Sequence, residues 1–110
     1  LVFGGVGNGE EMNMVVKDGD SVIGTARVIF PAKDMAKIER MAVLKHLRCR
    51  GIGEGIISFL NGELKHRQIK LVVIHAQYTV VEFYKSCGFK ESGEHFFEAG
   101  IKHIKMEMSY

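Results

Sequence analysis

The chain has 110 residues, room for one domain built on a single core. Hydrophobic residues make up 46% and charged residues 25%, with one Pro and no low-complexity run, which excludes disorder or a fibre as the main state. Fifteen Lys and Arg against thirteen Asp and Glu leave a formal charge of +2. That is too little for broad phosphate neutralisation, so no nucleic-acid partner is expected and any bound anion needs a local site.

No apolar stretch approaches the ~20 residues needed to cross a bilayer. The opening Leu1-Val2-Phe3-Gly4-Gly5 lacks the basic-then-apolar layout of a secretion signal. A cytoplasmic chain with no membrane partner is expected. Cys49 and Cys87 form no C-x-x-C pair and read as reduced thiols. His46, His66, His75, His95 and His103 never stand at i, i+4, so no metal is expected.

In chain order, residues 1–11 carry Gly4, Gly5, Gly7 and Gly9 and read as a flexible, glycine-rich segment, a loop or a frayed end. Gly5-Val6-Gly7-Asn8-Gly9 lacks the preceding strand and following helix that a phosphate loop requires. Met12 to Val16 and Val22 to Phe30 flank an Asp18-Gly19 turn signal and form a β-hairpin. Pro31 should break the second strand, because it cannot donate to a ladder. A third strand is expected over about Ala36 to Val43.

After Gly51-Ile52-Gly53, apolar residues at Ile52, Ile56, Ile57, Phe59, Leu60 and Leu64 have amphipathic helical spacing, ending near Lys65-His66-Arg67. Gly55 and Gly62 weaken this helix by up to about 1 kcal/mol each relative to Ala. Leu71-Val72-Val73-Ile74 reads as a strand covered on both faces. Strand, helix, strand is a βαβ unit, so the strands ending at Val43 and Ala76 should be parallel. Thr79 and Glu82 have capping-box spacing and predict a short second helix closed by Gly88, with Val80, Phe83 or Tyr84, and Cys87 facing inward. A strand from Phe89 and another through Ile104, Met106 and Met108 complete a β-β-β-α-β-α-β-β order. The expected class is α+β, a mixed sheet with two helices, and residues 12–110 form the domain.

Arg48-Cys49-Arg50-Gly51-Ile52-Gly53 joins a strand end to a helix start. Unhindered amides at the positive end of a helix dipole suit a phosphate or pyrophosphate, and Arg48 or Arg50 can add a charged bond. The plainer reading is that two glycines only turn the chain into the helix.

Arg48-x-x-Gly51-x-Gly53, placed after Met41-Ala42-Val43, resembles the acyl-CoA pyrophosphate motif of the GNAT superfamily of N-acetyltransferases. Ala76-Gln77 followed by Phe83-Tyr84-Lys85-Ser86-Cys87-Gly88-Phe89 resembles the F-Y-x-x-x-G-F signature of that superfamily. Ser92-Gly93-Glu94, Phe97 to Ile101 and His103 resemble its ElaA-like branch. The resemblance spans about Ile23 to Met108 in family order.

It implies a sheet with a central splayed parallel pair holding acetyl-CoA, the co-substrate. Met41, Ala42 and Val43 would offer main-chain groups to the pantetheine arm and an oxyanion donor to the thioester. Arg48, Cys49, Arg50, Gly51, Ile52 and Gly53 would hold the pyrophosphate, and Gln77 and Phe83 would flank the cofactor. Tyr84 would be the general acid that protonates the departing thiolate. Glu39 is the candidate base for the incoming amine, against the alternative of a solvated or salt-bridged carboxylate. Arg40 would contact substrate or pair with Glu39. His75 and Gln77 stand where open sheets bind ligands, with a structural role the alternative for His75. A Cys49 acyl-enzyme lacks a paired base and is set aside.

The implied activity is N-acetyl transfer to an amine of a small molecule or peptide, and the alternative is a non-catalytic acyl-CoA-binding or scaffold module. Family members open with a strand and one or two helices where this chain has about eleven glycine-rich residues. The CoA half is therefore expected complete and the amine half short, with a homodimer to cover the apolar surface left.

Overall fold

The computed structural model describes all residues, Leu1–Tyr110. Seven strands form one sheet in the order β1-β2-β3-β4-β5-β7-β6: β1 Val2–Gly7, β2 Glu11–Asp18, β3 Ser21–Ala32, β4 Met35–Val43, β5 Leu71–Gln77, β6 Lys90–Glu98 and β7 Ile101–Ser109. Helix α1 (Ile52–His66) links β4 to β5, and α2 (Val81–Ser86) follows β5. Only β4 and β5 pair in parallel, as a crossover through a helix requires. The mixed, mostly antiparallel α+β sheet with a central parallel pair matches the expected class, with one strand more than expected.

That strand is β1. Residues 2–7 are not a loose end: they pair antiparallel with β2 from Val2↔Lys17 to Gly7↔Met12. Phe3 holds the strand down, packing on the core and stacking on Phe59 with ring centroids 6.4 Å apart. Gly55 of α1 makes room for it, since a Cβ there would sit 2.7 Å from the Phe3 ring. Of the glycines that suggested flexibility, Gly7 serves close approach, since a Cβ there would lie 2.6 Å from the Glu11 carbonyl, while Gly4 and Gly9 have open space around them.

The β2–β3 hairpin turns through Gly19-Asp20, with Gly19 at φ +60°. Pro31 does not end β3. The ladder is irregular between Ile29 and Ala32 and resumes at Ala32↔Met35, so Pro31 falls where no donor is needed.

Helix α1 buries Ile52, Ile56, Ile57, Leu60 and Leu64 against the sheet. Each such side chain contributes about 1.5–3 kcal/mol, which exceeds the glycine cost within the helix. Met12, Met14, Val16, Ala26, Val28, Ile38, Val72, Ile74, Ala76, Ile104 and Met106 complete the same core. Alternate residues point the other way, where no helix lies: Glu11, Asn13, Arg27, Lys37, Glu39, His75 and Lys105 mark that open face. Val73 is buried there at 4% exposure, outside the main core, so β5 is covered on both faces only in part.

The capping box before α2 does not form. Thr79 lies inside a 3-10 turn, Tyr78–Val80, so the cap position falls on Val80, and no side chain bonds the helix end. The shift by one residue also changes the inward face: Val81 and Tyr84 are buried, Val80 is exposed, and Phe83 and Cys87 are half-buried. Gly88, at φ +103°, closes α2 as expected, with the Phe89 amide donating to the Tyr84 carbonyl at 3.0 Å. No helix is long and apolar enough to cross a membrane.

Candidate active site

A bulge opens the sheet. Opposite the single residue Ala26, β4 carries two, Arg40 and Met41, and Arg40 takes φ +50°. Parallel pairing with β5 stops at Ile38↔Ile74. Beyond it Glu39 to Val43 have no partner on β5, and His75 to Gln77 pair with β7 alone. The two strands therefore splay around a cleft of about 1050 Å³. Its walls include Ile38, Ile74 and Ala76 from the helix side and Lys37, Glu39, His75 and Gln77 from the open side, so the cleft joins the two faces of the sheet.

The loop after β4 enters α1 at the mouth of this cleft. Cys49 and Gly51 both take left-handed backbone, at φ +62° and +80°. Only glycine does so without strain, and a Cβ on Gly51 would meet nothing within 4 Å. The first helical bond runs from the Gly55 amide to the Gly51 carbonyl at 3.0 Å, and no side chain caps the end. The amides of Ile52, Gly53 and Glu54 are left without a protein acceptor at the positive end of the dipole. Arg48 Nε donates to the Val43 carbonyl at 3.1 Å, which ties the loop back to the splayed strand.

Helix α2 forms the neighbouring wall. Phe83 lies against Gly53, where a Cβ would be 3.0 Å from its Cζ and 3.5 Å from Met41 Cε. Tyr84 is 8% exposed, and its hydroxyl donates to Met41 Sδ at 3.8 Å, a weak acceptor. Burial pushes the phenol up to about 12, with the nearby Cys87 thiol adding to the rise. Tyr84 is thus a firmly protonated donor facing a soft sulfur.

On the open face, Glu39 lies between two cations, with Oε2 3.5 Å from Arg27 Nη1 and Oε1 3.7 Å from Lys37 Nζ. Arg27 also grips Glu11 at 2.8 Å. Arg40 takes no part in this network. His75 makes an edge contact with Phe96 at 5.1 Å and no hydrogen bond within the protein. Burial, then Lys37, lowers its pKa and favours the neutral ring. His103, at the Gln77 register, donates from Nδ1 to the Ile101 carbonyl at 2.7 Å, since a carbonyl only accepts and Nδ1 must carry the proton. Its Nε2 is 3.7 Å from Glu98 Oε2.

Of the residues singled out from sequence, Glu39, Met41, Ala42, Val43, Arg48, Cys49, Gly51, Gly53, Gln77, Phe83 and Tyr84 all line this cleft. Arg50 and Ile52 do not. Arg50 is exposed beside it, and Ile52 is buried in the core beneath the loop, because the helical stripe turns it inward. Sequence reasoning missed the Glu98–His103 pair. Its signal was present in Phe97 to His103, but the pairing needs the tight turn at Ala99-Gly100, where φ is +52° and +76°. No group of three or more His, Cys, Asp or Glu side chains is placed to hold a metal.

A sheet splayed at its one parallel pair, with a glycine-rich, uncapped helix start at the opening, is the acyl-CoA N-acyltransferase fold. The chain belongs to the GNAT acetyltransferase family: the family's acetyltransferase (GNAT) domain matches residues 6–110. It is similar to the uncharacterized N-acetyltransferase YjcF of Bacillus subtilis, 34% identical over 88% of this chain and 69% of that one. Among solved structures, Escherichia coli ElaA superposes with a TM-score of 0.83 at 26% identity, over 93% of this chain and 70% of its own. A GNAT family acetyltransferase from Elizabethkingia anophelis with acetyl-CoA bound superposes at 0.80 over 92% of this chain and 77% of its own. At 18% identity that last likeness is one of fold. The chain spans 54%, 56% and 69% of the lengths of three Bacillus subtilis relatives that it matches.

Proposed function

We propose that this chain transfers the acetyl group of acetyl-CoA to a primary amine of a small molecule or peptide, by direct attack and without an acyl-enzyme. The observation that carries the proposal is the set of uncapped amides at the start of α1, opening on a cleft that runs through the sheet. A diphosphate fits such a set because it presents several acceptors to donors that have no other partner. In this reading Arg48, Cys49, Arg50, Gly51, Ile52 and Gly53 form the diphosphate loop. The main chain of Met41, Ala42 and Val43, free on the β5 side, holds the pantetheine arm and one amide polarises the thioester carbonyl. Gln77 and Phe83 flank that arm.

Tyr84 supplies the hydrogen bond to the departing sulfur. With its pKa near 12, full proton transfer to a thiolate of ordinary basicity near ~8.5 is uphill by about 5 kcal/mol. The role that fits is a donor that stabilises developing charge on sulfur while the amine's own proton completes neutralisation. The Met41 sulfur, which now accepts from Tyr84, marks the kind of atom the hydroxyl is placed to meet.

A second reading, a CoA-holding module without turnover, is favoured by Glu39, the candidate base, whose carboxylate is already engaged by two cations. Titration calorimetry with acetyl-CoA, joined to thiol release over an amine panel, separates the two. Binding with turnover supports the transferase, binding without turnover supports the module, and absence of binding defeats both. For assembly, the exposed Val2 and Val6 on edge strand β1, with Leu1 just before it, support a homodimer, tested by sedimentation.

A further inference from the structure

We infer that His103, with Glu98 beside it, takes the proton from the incoming ammonium on the open face of the sheet. The inference rests on the proposed acetyl transfer and names the group that transfer still lacks, since an amine attacks only after it is deprotonated.

Five observations converge on His103. It is the one polar residue that is buried, at 7% exposure, and it lines the cleft. Its Nδ1 bond to the Ile101 carbonyl leaves the neutral ring with its lone pair on Nε2. That nitrogen has no hydrogen-bond partner in the protein, and no unpartnered side-chain nitrogen or oxygen is sealed from solvent, so Nε2 opens to the cleft. Phe96 stacks on the ring at 5.7 Å and fixes its plane. Glu98 Oε2, 3.7 Å from Nε2, is too far for a good hydrogen bond and near enough to stabilise an imidazolium. His75 on β5 shares this open face and feels the charge of His103, and it also feels Lys37, Glu98 and Lys105. Glu39, by contrast, already faces two cations.

The chemistry balances. One proton moves from the ammonium nitrogen to His103 Nε2, and the freed lone pair forms the C–N bond to the acetyl carbon. The C–S bond breaks and the amide nitrogen's second proton passes to the sulfur, while the Tyr84 hydroxyl keeps its own proton and donates a hydrogen bond to the developing thiolate. The imidazolium then returns its proton to water.

The test compares alkylamine probes (tyramine, spermidine and a lysine peptide), which are protonated at neutral pH, with hydroxylamine, which is not. Thiol release from acetyl-CoA is followed for the unaltered protein and for His103→Gln, each first checked for an equal rise in Tm with acetyl-CoA. The expected result is a fall of about 100-fold in the alkylamine-to-hydroxylamine rate ratio. Glu98→Gln, on an exposed side chain, should lower the alkylamine rate more than the hydroxylamine rate, because the carboxylate 3.7 Å from Nε2 is lost. Equal loss with both nucleophiles in His103→Gln overturns the assignment of His103 while leaving acetyl transfer intact. Absence of thiol release by the unaltered protein with every probe overturns acetyl transfer itself, and this inference with it.

Discussion

The hydroxyl of Tyr84 donates to the sulfur of Met41 across 3.8 Å, joining α2 to the unpaired stretch of β4. Both residues line the cleft on its helix side. The contact sets a buried phenol, short of strong acceptors, beside main-chain groups that β5 leaves free.

Replacing Tyr84 with Phe should slow thiol release by about 10²–10⁴-fold while the rise in Tm with acetyl-CoA stays within a degree or so, because the hydroxyl acts on the leaving sulfur more than on binding. Equal loss of binding and rate would remove Tyr84 from the chemistry. A parallel check uses alkaline pH. Burial raises the folded phenol to about 12 from 10, so the stability it contributes is whole below pH 10 and is lost as pH rises toward 12. Tyr110, raised to about 12 as well, acts in the same direction. The Tm of the unaltered protein should therefore fall over that window, and less so in Tyr84→Phe.

Gly53 and Gly51 should separate packing from backbone. In Gly53→Ala the new methyl meets Phe83 Cζ at 3.0 Å, while Ala gains about 1 kcal/mol of helix propensity. Stability should stay nearly level and acetyl-CoA affinity drop about tenfold as the ring shifts, read by calorimetry. In Gly51→Ala the methyl meets nothing, but φ +80° costs about 1–2 kcal/mol, so Tm should fall by several degrees. Unchanged affinity in the first variant would mean that the Phe83 wall is not part of the cofactor path.

Phe3 and Gly55 form a coupled pair suited to a double-mutant cycle. Gly55→Ala alone drives a methyl to 2.7 Å from the Phe3 ring and should destabilise the chain by about 1–3 kcal/mol. In a Phe3→Ala background the same change should stabilise, by up to about 1 kcal/mol of helix propensity. Additive effects in urea unfolding would contradict the docking of β1 on α1.

Glu39→Gln distinguishes a base from a structural carboxylate. Its partners are partly exposed, so the ion pairs are worth under about 1 kcal/mol and Tm should change little. With His103 taking the proton, alkylamine turnover should stay within about threefold. A loss of 10²-fold or more, with hydroxylamine turnover retained, would transfer the base role to Glu39.

Much of this architecture was legible in the residues themselves. The β2–β3 hairpin follows from two apolar runs about Asp18-Gly19, α1 from its buried stripe, and the turn into α1 from glycines at 51 and 53 between a strand and a helix. Each signal lies within one short, continuous stretch of chain. Thr79 shows the limit of local reading, because spacing alone did not reveal that a 3-10 turn would move the cap to Val80. Ile52 shows another: one residue served both motif and stripe, and packing took it for the core.

What the chain's order of residues determined alone is periodicity and turn chemistry, since both depend on neighbours a few bonds away. Tertiary structure alone decided whether the glycine-rich start would lie free or pair, because the answer depends on Phe3 meeting Gly55 some fifty residues downstream. It also decided the bulge at Arg40, the opening between β4 and β5, and the approach of Glu98 to His103 within 3.7 Å. These are contacts between distant segments, and their free energy exists only once the sheet has brought those segments together.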